Sequence, residues 1–124
     1  MTTMLLFAVV SGIFSPGMPL PDLHGKMCQV SWYKHGQVMA NGDKFNPKSL
    51  VTIAHKTLPF GTKVLMISPR TGKWLICEVQ DRGPYHPRRE FDLAQGAARY
   101  LGVIDDPEKN PKLMTYVIPQ PLSG

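Results

Sequence analysis

Near residue 80 an alternating strand pattern runs into a turn that a strand cannot pass. Leu75, Cys77 and Val79 fall on one face and Ile76, Glu78 and Gln80 on the other, and Gly83-Pro84 then breaks the run. Asp81 therefore stands where a strand stops, beside the guanidinium of Arg82. A sheet can hold such a carboxylate firmly while leaving it facing a groove. An Asp in this position can equally pair with Arg82 or cap the turn through its own backbone, and the local pattern leaves both readings open. The same punctuation recurs along the chain, where 11 glycines and 12 prolines favour short strands and turns over long helices.

The apolar run at residues 4–14 is too short to cross a bilayer comfortably, yet long enough for the core of a secretory signal. Left uncleaved it would act as an anchor and associate the protein with a membrane; an N-terminal strand and a truncated gene start are the other readings. Residues 15–25, rich in Pro and Gly, read as a linker. The folded domain is thus placed at residues 26–119, with a tail at 120–124. Its 43% hydrophobic residues are spread along the chain, enough for one modest core.

Within that domain, Met27 to Tyr33 alternates as a half-buried strand, with Trp32 on the face of Cys28 and Val30 and so expected in the core. Lys34 to Asp43 is a turn-rich loop. Asn46-Pro47 joins a helix N-cap to a first-position proline and predicts a helical turn over Pro47 to Thr52. Ile53 to His55, Thr62 to Ser68, Lys73 to Gln80 and Lys112 to Ile118 read as strands, the middle pair joined by a hairpin-like turn at Pro69 to Gly72. Tyr85 to Glu90 reads as a polar loop, and Asp92 as the cap of a helix running from Leu93 to Tyr100 or Leu101 that Gly102 stops. Five or six short strands with two short helices argue for a small barrel or a curled sheet.

The formal charge of +5 suits an acidic polymer as partner, but the chain has no Lys/Arg run of five or more and no nucleic-acid motif, so nucleic acid is not expected. Cys28 and Cys77 have no metal-site spacing. They read either as one long-loop disulfide, worth about 3–4 kcal/mol in the chain-entropy model, or as two buried thiols.

Five segments fall in order: Val30-Ser31-Trp32-Tyr33, Ala40 to Pro47, Ile53-Ala54-His55-Lys56-Thr57-Leu58-Pro59-Phe60-Gly61-Thr62, Asp81-Arg82-Gly83-Pro84-Tyr85 and Phe91-Asp92-Leu93-Ala94. Together they resemble the double-psi β-barrel domain of the rare lipoprotein A family, septal-ring lytic transglycosylases of the bacterial envelope, over roughly residues 28–118. The resemblance implies a mainly β fold: a six-stranded double-psi β-barrel with one or two short helices, akin to expansin and barwin-like barrels. It implies a periplasmic or secreted monomer that acts on peptidoglycan glycan strands without metal or cofactor. The reaction implied is cleavage of the β-1,4 bond after N-acetylmuramic acid with formation of a 1,6-anhydro sugar.

Carried over position by position, Asp81 matches the catalytic aspartate, Asp43 stands where a second acidic residue (usually Glu) is found, and His55 matches the histidine of an Ala-Ala-His segment. Asp92 matches an aspartate that opens the last helix, where it either caps or orients Asp81 and Arg82. His55 either orients the chemistry or is an ordinary hydrogen-bonded groove histidine. Tyr33, Asn41, Arg82 and Tyr85 are the expected substrate contacts.

Such chemistry needs a proton for the leaving oxygen and stabilisation of an oxocarbenium-like centre. When the sugar's own 6-hydroxyl attacks, one carboxyl can serve as acid and then as base. Two other functions fit the same groove: a non-catalytic, expansin-like wall-loosening module, and a hydrolase using Asp43 and Asp81 as an inverting pair about 6.5–9.5 Å apart.

Overall fold

The computed structural model describes residues 25–119. Six strands and one helix are found among them: β1 (Lys26–Tyr33), β2 (Thr52–His55), β3 (Lys63–Ile67), β4 (Trp74–Asp81), β5 (Arg89–Ala94), α1 (Gln95–Leu101) and β6 (Lys112–Ile118). The strands close into a barrel in the order β1-β5-β2-β4-β3-β6. The β1/β5 and β2/β4 pairs are parallel and the other four antiparallel, and the fold is a double-psi β-barrel. Closure leaves no free edge, so strands of four to eight residues suffice.

Alternation puts Val30, Ile53, Val64, Met66, Val79, Phe91, Leu93 and Leu113 inside, where they meet Ala97, Ala98 and Leu101 of the helix. A smaller apolar cluster, Leu65, Tyr116 and Ile118, covers the outer face of β3 and β6. Cys28 and Cys77 are both buried as free thiols, which selects the second of the two cysteine readings.

Four expectations require correction. Residues Arg89 to Ala94 form a strand, not the end of a loop and the start of a helix: Phe91 and Leu93 alternate inward, and β5 is held on one side by β1 and on the other by β2. Asp92 is consequently no helix cap. The N-cap is Ala94, without a side-chain bond, while Gly102 does close the helix in the left-handed conformation. Pro47 to Thr52 forms a turn without a helix, because Asn46 Oδ1 takes the Lys48 amide and Ser49 Oγ takes those of Val51 and Thr52. Trp32 is 37% exposed, since β6 pairs with β1 only as far as Gln29 and the barrel wall does not continue over the end of β1. The signal-like segment up to residue 24 and the tail at 120–124 lie outside the described residues.

The long β1–β2 connection is fastened to the helix at Gly96, whose amide donates to the Pro47 carbonyl at 2.7 Å. A Cβ at Gly96 would run into the Lys48 carbonyl, a backbone atom that cannot swing aside. Gly96→Ala should therefore lower stability by about 1–3 kcal/mol, despite alanine's better helix propensity. A lower denaturant midpoint at unchanged m-value is the expected readout; an unchanged or higher midpoint would refute the close-packing account.

Candidate active site

The site is assembled by strand register. Ala54 of β2 lies opposite Asp81 on β4 and opposite Asp92 on β5, and Asp92 in turn lies opposite Ser31 on β1. Directly opposed residues share a face of a sheet, so the two carboxylates flank a single methyl group. An irregularity makes this possible. Between Ile53 and Ala54 the β2/β4 register skips from Val79 to Asp81, passing over Gln80, as a bulge does when it re-aims a side chain. The displaced Gln80 amide carbonyl accepts a bond from Thr52 Oγ1 at 2.8 Å.

Three donors hold the Asp81 carboxylate. Oδ1 accepts the amides of Ala40 and Arg82, each at 2.9 Å, and Oδ2 accepts the Tyr33 hydroxyl at 3.1 Å. Tyr33 is itself fixed by stacking on Phe45, ring centroids 4.5 Å apart. Burial, reinforced by the charge and hydrogen bond of Asp81, pushes its phenol well above the usual range, so Tyr33 remains a proton carrier. The Ala40 amide arrives on a loop whose Met39 and Phe45 are buried under it, and whose Asn41 amide donates to the Gln80 carbonyl at 3.3 Å. One oxygen of Asp81 is thus anchored by backbone, and the other shares a proton-bearing hydroxyl.

Asp92, partly buried, accepts Ser31 Oγ at 3.1 Å. Burial pushes its carboxyl up to about 6, against the pull of Ser31 and Arg89 and with help from the Asp81 charge. His55, at the end of β2, accepts two amides on Nδ1, from Thr57 (3.1 Å) and Leu58 (3.0 Å), which leaves its proton on Nε2. Burial lowers its pKa and keeps the ring neutral at ordinary pH, with the nearby Glu90 charge opposing. Nε2 lies 3.9 Å from Glu90 Oε1.

The remaining candidates divide. The Arg82 guanidinium donates to the carbonyls of Leu58 (2.8 Å) and His55 (3.3 Å) and lies 3.9 Å over the Phe60 ring, bracing the turn after β2. Asn41 and Asp43 close on each other: Asn41 Nδ2 donates to Asp43 Oδ2 at 3.1 Å, and the Asp43 amide to Asn41 Oδ1 at 2.9 Å. Asp43 is exposed, and its described hydrogen bonds stay within this loop. Tyr85, past the cis Gly83-Pro84 bond, is 87% exposed.

Glu90 is the residue sequence reasoning passed over. It accepts Lys26 Nζ at 3.2 Å and the Cys28 thiol at 2.6 Å as well as facing His55. Its signal was the same alternation that marks β5, Glu90 and Asp92 against Phe91 and Leu93. Among the described residues no group of three or more His, Cys, Asp or Glu is disposed to hold a metal ion.

A family model described as lytic transglycolase matches residues 26–110. A probable endolytic peptidoglycan transglycosylase RlpA of Synechocystis is 46% identical over 77 residues, 60% of this chain and 24% of that protein. The endolytic peptidoglycan transglycosylase RlpA of Vibrio cholerae is 34% identical over 96 residues, 75% of this chain and 36% of that protein. This chain thus spans about a quarter to a third of these relatives' length. Among solved structures, Streptomyces papain inhibitor (SPI) has a TM-score of 0.61 at 18% identity, covering 77% of this chain and 96% of the inhibitor, a likeness of fold alone.

The Asp92 environment makes a pH prediction. A carboxyl with a folded-state pKa of about 6 against an ordinary 3.8 holds its proton more tightly when folded. Stability from this group is full below about pH 4 and is lost as pH rises to about 6. Relative to Asp92→Asn, the wild type should lose about 1–2 kcal/mol across that window, a figure discounted for partial exposure. Denaturation at several pH values checks it; a difference that is flat or rises with pH would contradict the assignment.

Proposed function

This chain belongs to the lytic transglycolase family, and from that premise we propose that it is a peptidoglycan lytic transglycosylase with Asp81 as acid and base. The observation that carries the reading is the Asp81 carboxylate at the end of β4, its Oδ1 pinned by two amides and its Oδ2 coupled to a proton-bearing phenol.

A protonated Asp81 Oδ2 gives its proton to the glycosidic oxygen linking N-acetylmuramic acid to the following N-acetylglucosamine, and the C1–O bond breaks. The muramyl 6-hydroxyl attacks C1 and its proton returns to Asp81, closing the 1,6-anhydro ring with no water consumed. Tyr33 donates to the carboxylate or accepts from the acid by rotating its hydroxyl, so Oδ2 keeps a partner in both states. Asp92, one strand removed from Ala54 on the other side, holds a proton up to about pH 6 and limits the negative charge facing Asp81.

The neutral His55 offers an Nε2–H donor to the sugar, and Tyr85 an exposed ring face for stacking. Asp43 and Asn41 are assigned to substrate contact at the loop tip, not to proton transfer. The protein would work in the periplasm or outside the cell, where peptidoglycan lies.

Digestion of purified sacculi, read by mass spectrometry of the muropeptides, tests the proposal. Wild type should release anhydro-muramyl ends, and Asp81→Asn should slow their release by about a hundredfold or more. Reducing ends in place of anhydro ends would assign hydrolysis; glycan binding without products would leave a wall-loosening module.

A further inference from the structure

A cavity of about 550 Å³ is lined by His55 together with residues of β1, β5 and the start of β6, and neither Asp81 nor Asp92 lines it. Its wall carries five cations, Lys26, Lys56, Arg88, Arg89 and Lys112, against one carboxylate, Glu90. Glu90 is already engaged by Lys26 and the Cys28 thiol, so it neutralises little of the rest. Arg88 and Lys112 are exposed and come from separate parts of the chain, the loop before β5 and the start of β6. Several cations converging on one concave surface raise the local potential for an anion well beyond what the net charge of the chain would.

The cavity neighbours the active site through β2: His55 directly follows Ala54, the residue opposite both Asp81 and Asp92. His55 lines it, while the His55 carbonyl is held by Arg82, whose own amide binds Asp81. A glycan strand with one linkage at Asp81 would therefore present the substituents of a nearby sugar to this cavity. A neutral chain of N-acetylated sugars offers no charge to match five cations, whereas muramyl residues bear a carboxylate at every second sugar, either on the lactyl group or on the attached peptide stem.

Resting on the proposed activity, we propose that this cavity is a subsite for the carboxylates carried by muramyl residues, and that it selects glycan strands by their negative substituents. Charge-assisted contacts with Arg88 and Lys112 supply the preference. It acts on binding and not on the chemical step.

Binding to the Asp81→Asn protein tests this apart from turnover, so an inactive wild type would leave the result readable. Three soluble glycans of equal length serve as probes: a neutral chitin oligomer, strands stripped to free lactyl carboxylates, and strands retaining peptide stems. At least one anionic strand should bind about tenfold or more tighter than the chitin oligomer. Adding Arg88→Ala and Lys112→Ala should remove that difference without changing chitin binding, and rising salt should erode it. An equal gain on both anionic strands assigns the lactyl carboxylate; a larger gain on stem-bearing strands assigns the stem. Equal binding of all three glycans, or a preference that survives the double substitution, overturns the proposal.

Discussion

The four-residue strand β2 is the piece on which both the barrel and the site depend. It is wedged between β4, which it meets in parallel, and β5, which it meets antiparallel. Thr52, Ile53 and Ala54 are buried to within a few per cent, so β2 cannot shift without opening the core. That fixed position decides what faces Ala54: Asp81 on one side, by virtue of the bulge at Gln80, and Asp92 on the other. A larger residue at position 54 would fill the space between the carboxylates, and a straight β4 would turn Asp81 to the opposite face.

The loop from β1 adds the second constraint. It brings the Ala40 amide onto the Asp81 carboxylate, to which the Tyr33 phenol at the end of β1 also donates. Buried Met39 and Phe45 hold the loop down, and the close approach of Gly96 to residue 48 ties its far end to the helix. Precision at Asp81 therefore comes from packing remote from it, as functional geometry generally requires.

Much of this was legible in the sequence. Period-two alternation located β1, β2, β3, β4 and β6, and the strand-end position of Asp81 followed from one Gly-Pro turn. The sixth strand was missed because Asp92 followed by an apolar, alanine-rich stretch has the look of a capped helix. Pairing with β1 and β2 on both sides overrides that local preference, and no single-segment reading contains those partners. Trp32 failed for a related reason: alternation gives a face, but only the length of the neighbouring strand says whether that face is covered. Asp43 was singled out by its position in the resemblance, and the structure adds that its side chain meets Asn41 within its own loop. Glu90 looked like loop and stands beside His55.

On the proposed mechanism the scissile bond lies at Asp81, between the barrel and the β1–β2 loop. A crystal structure of Asp81→Asn bound to a muramic-acid-containing tetrasaccharide addresses it directly. The predicted result places a glycosidic oxygen within about 3.2 Å of the residue 81 side chain, hydrogen-bond reach for an acid. A saccharide seated on the barrel with its linkages beside Asp43 or elsewhere, out of reach of residue 81, would contradict it.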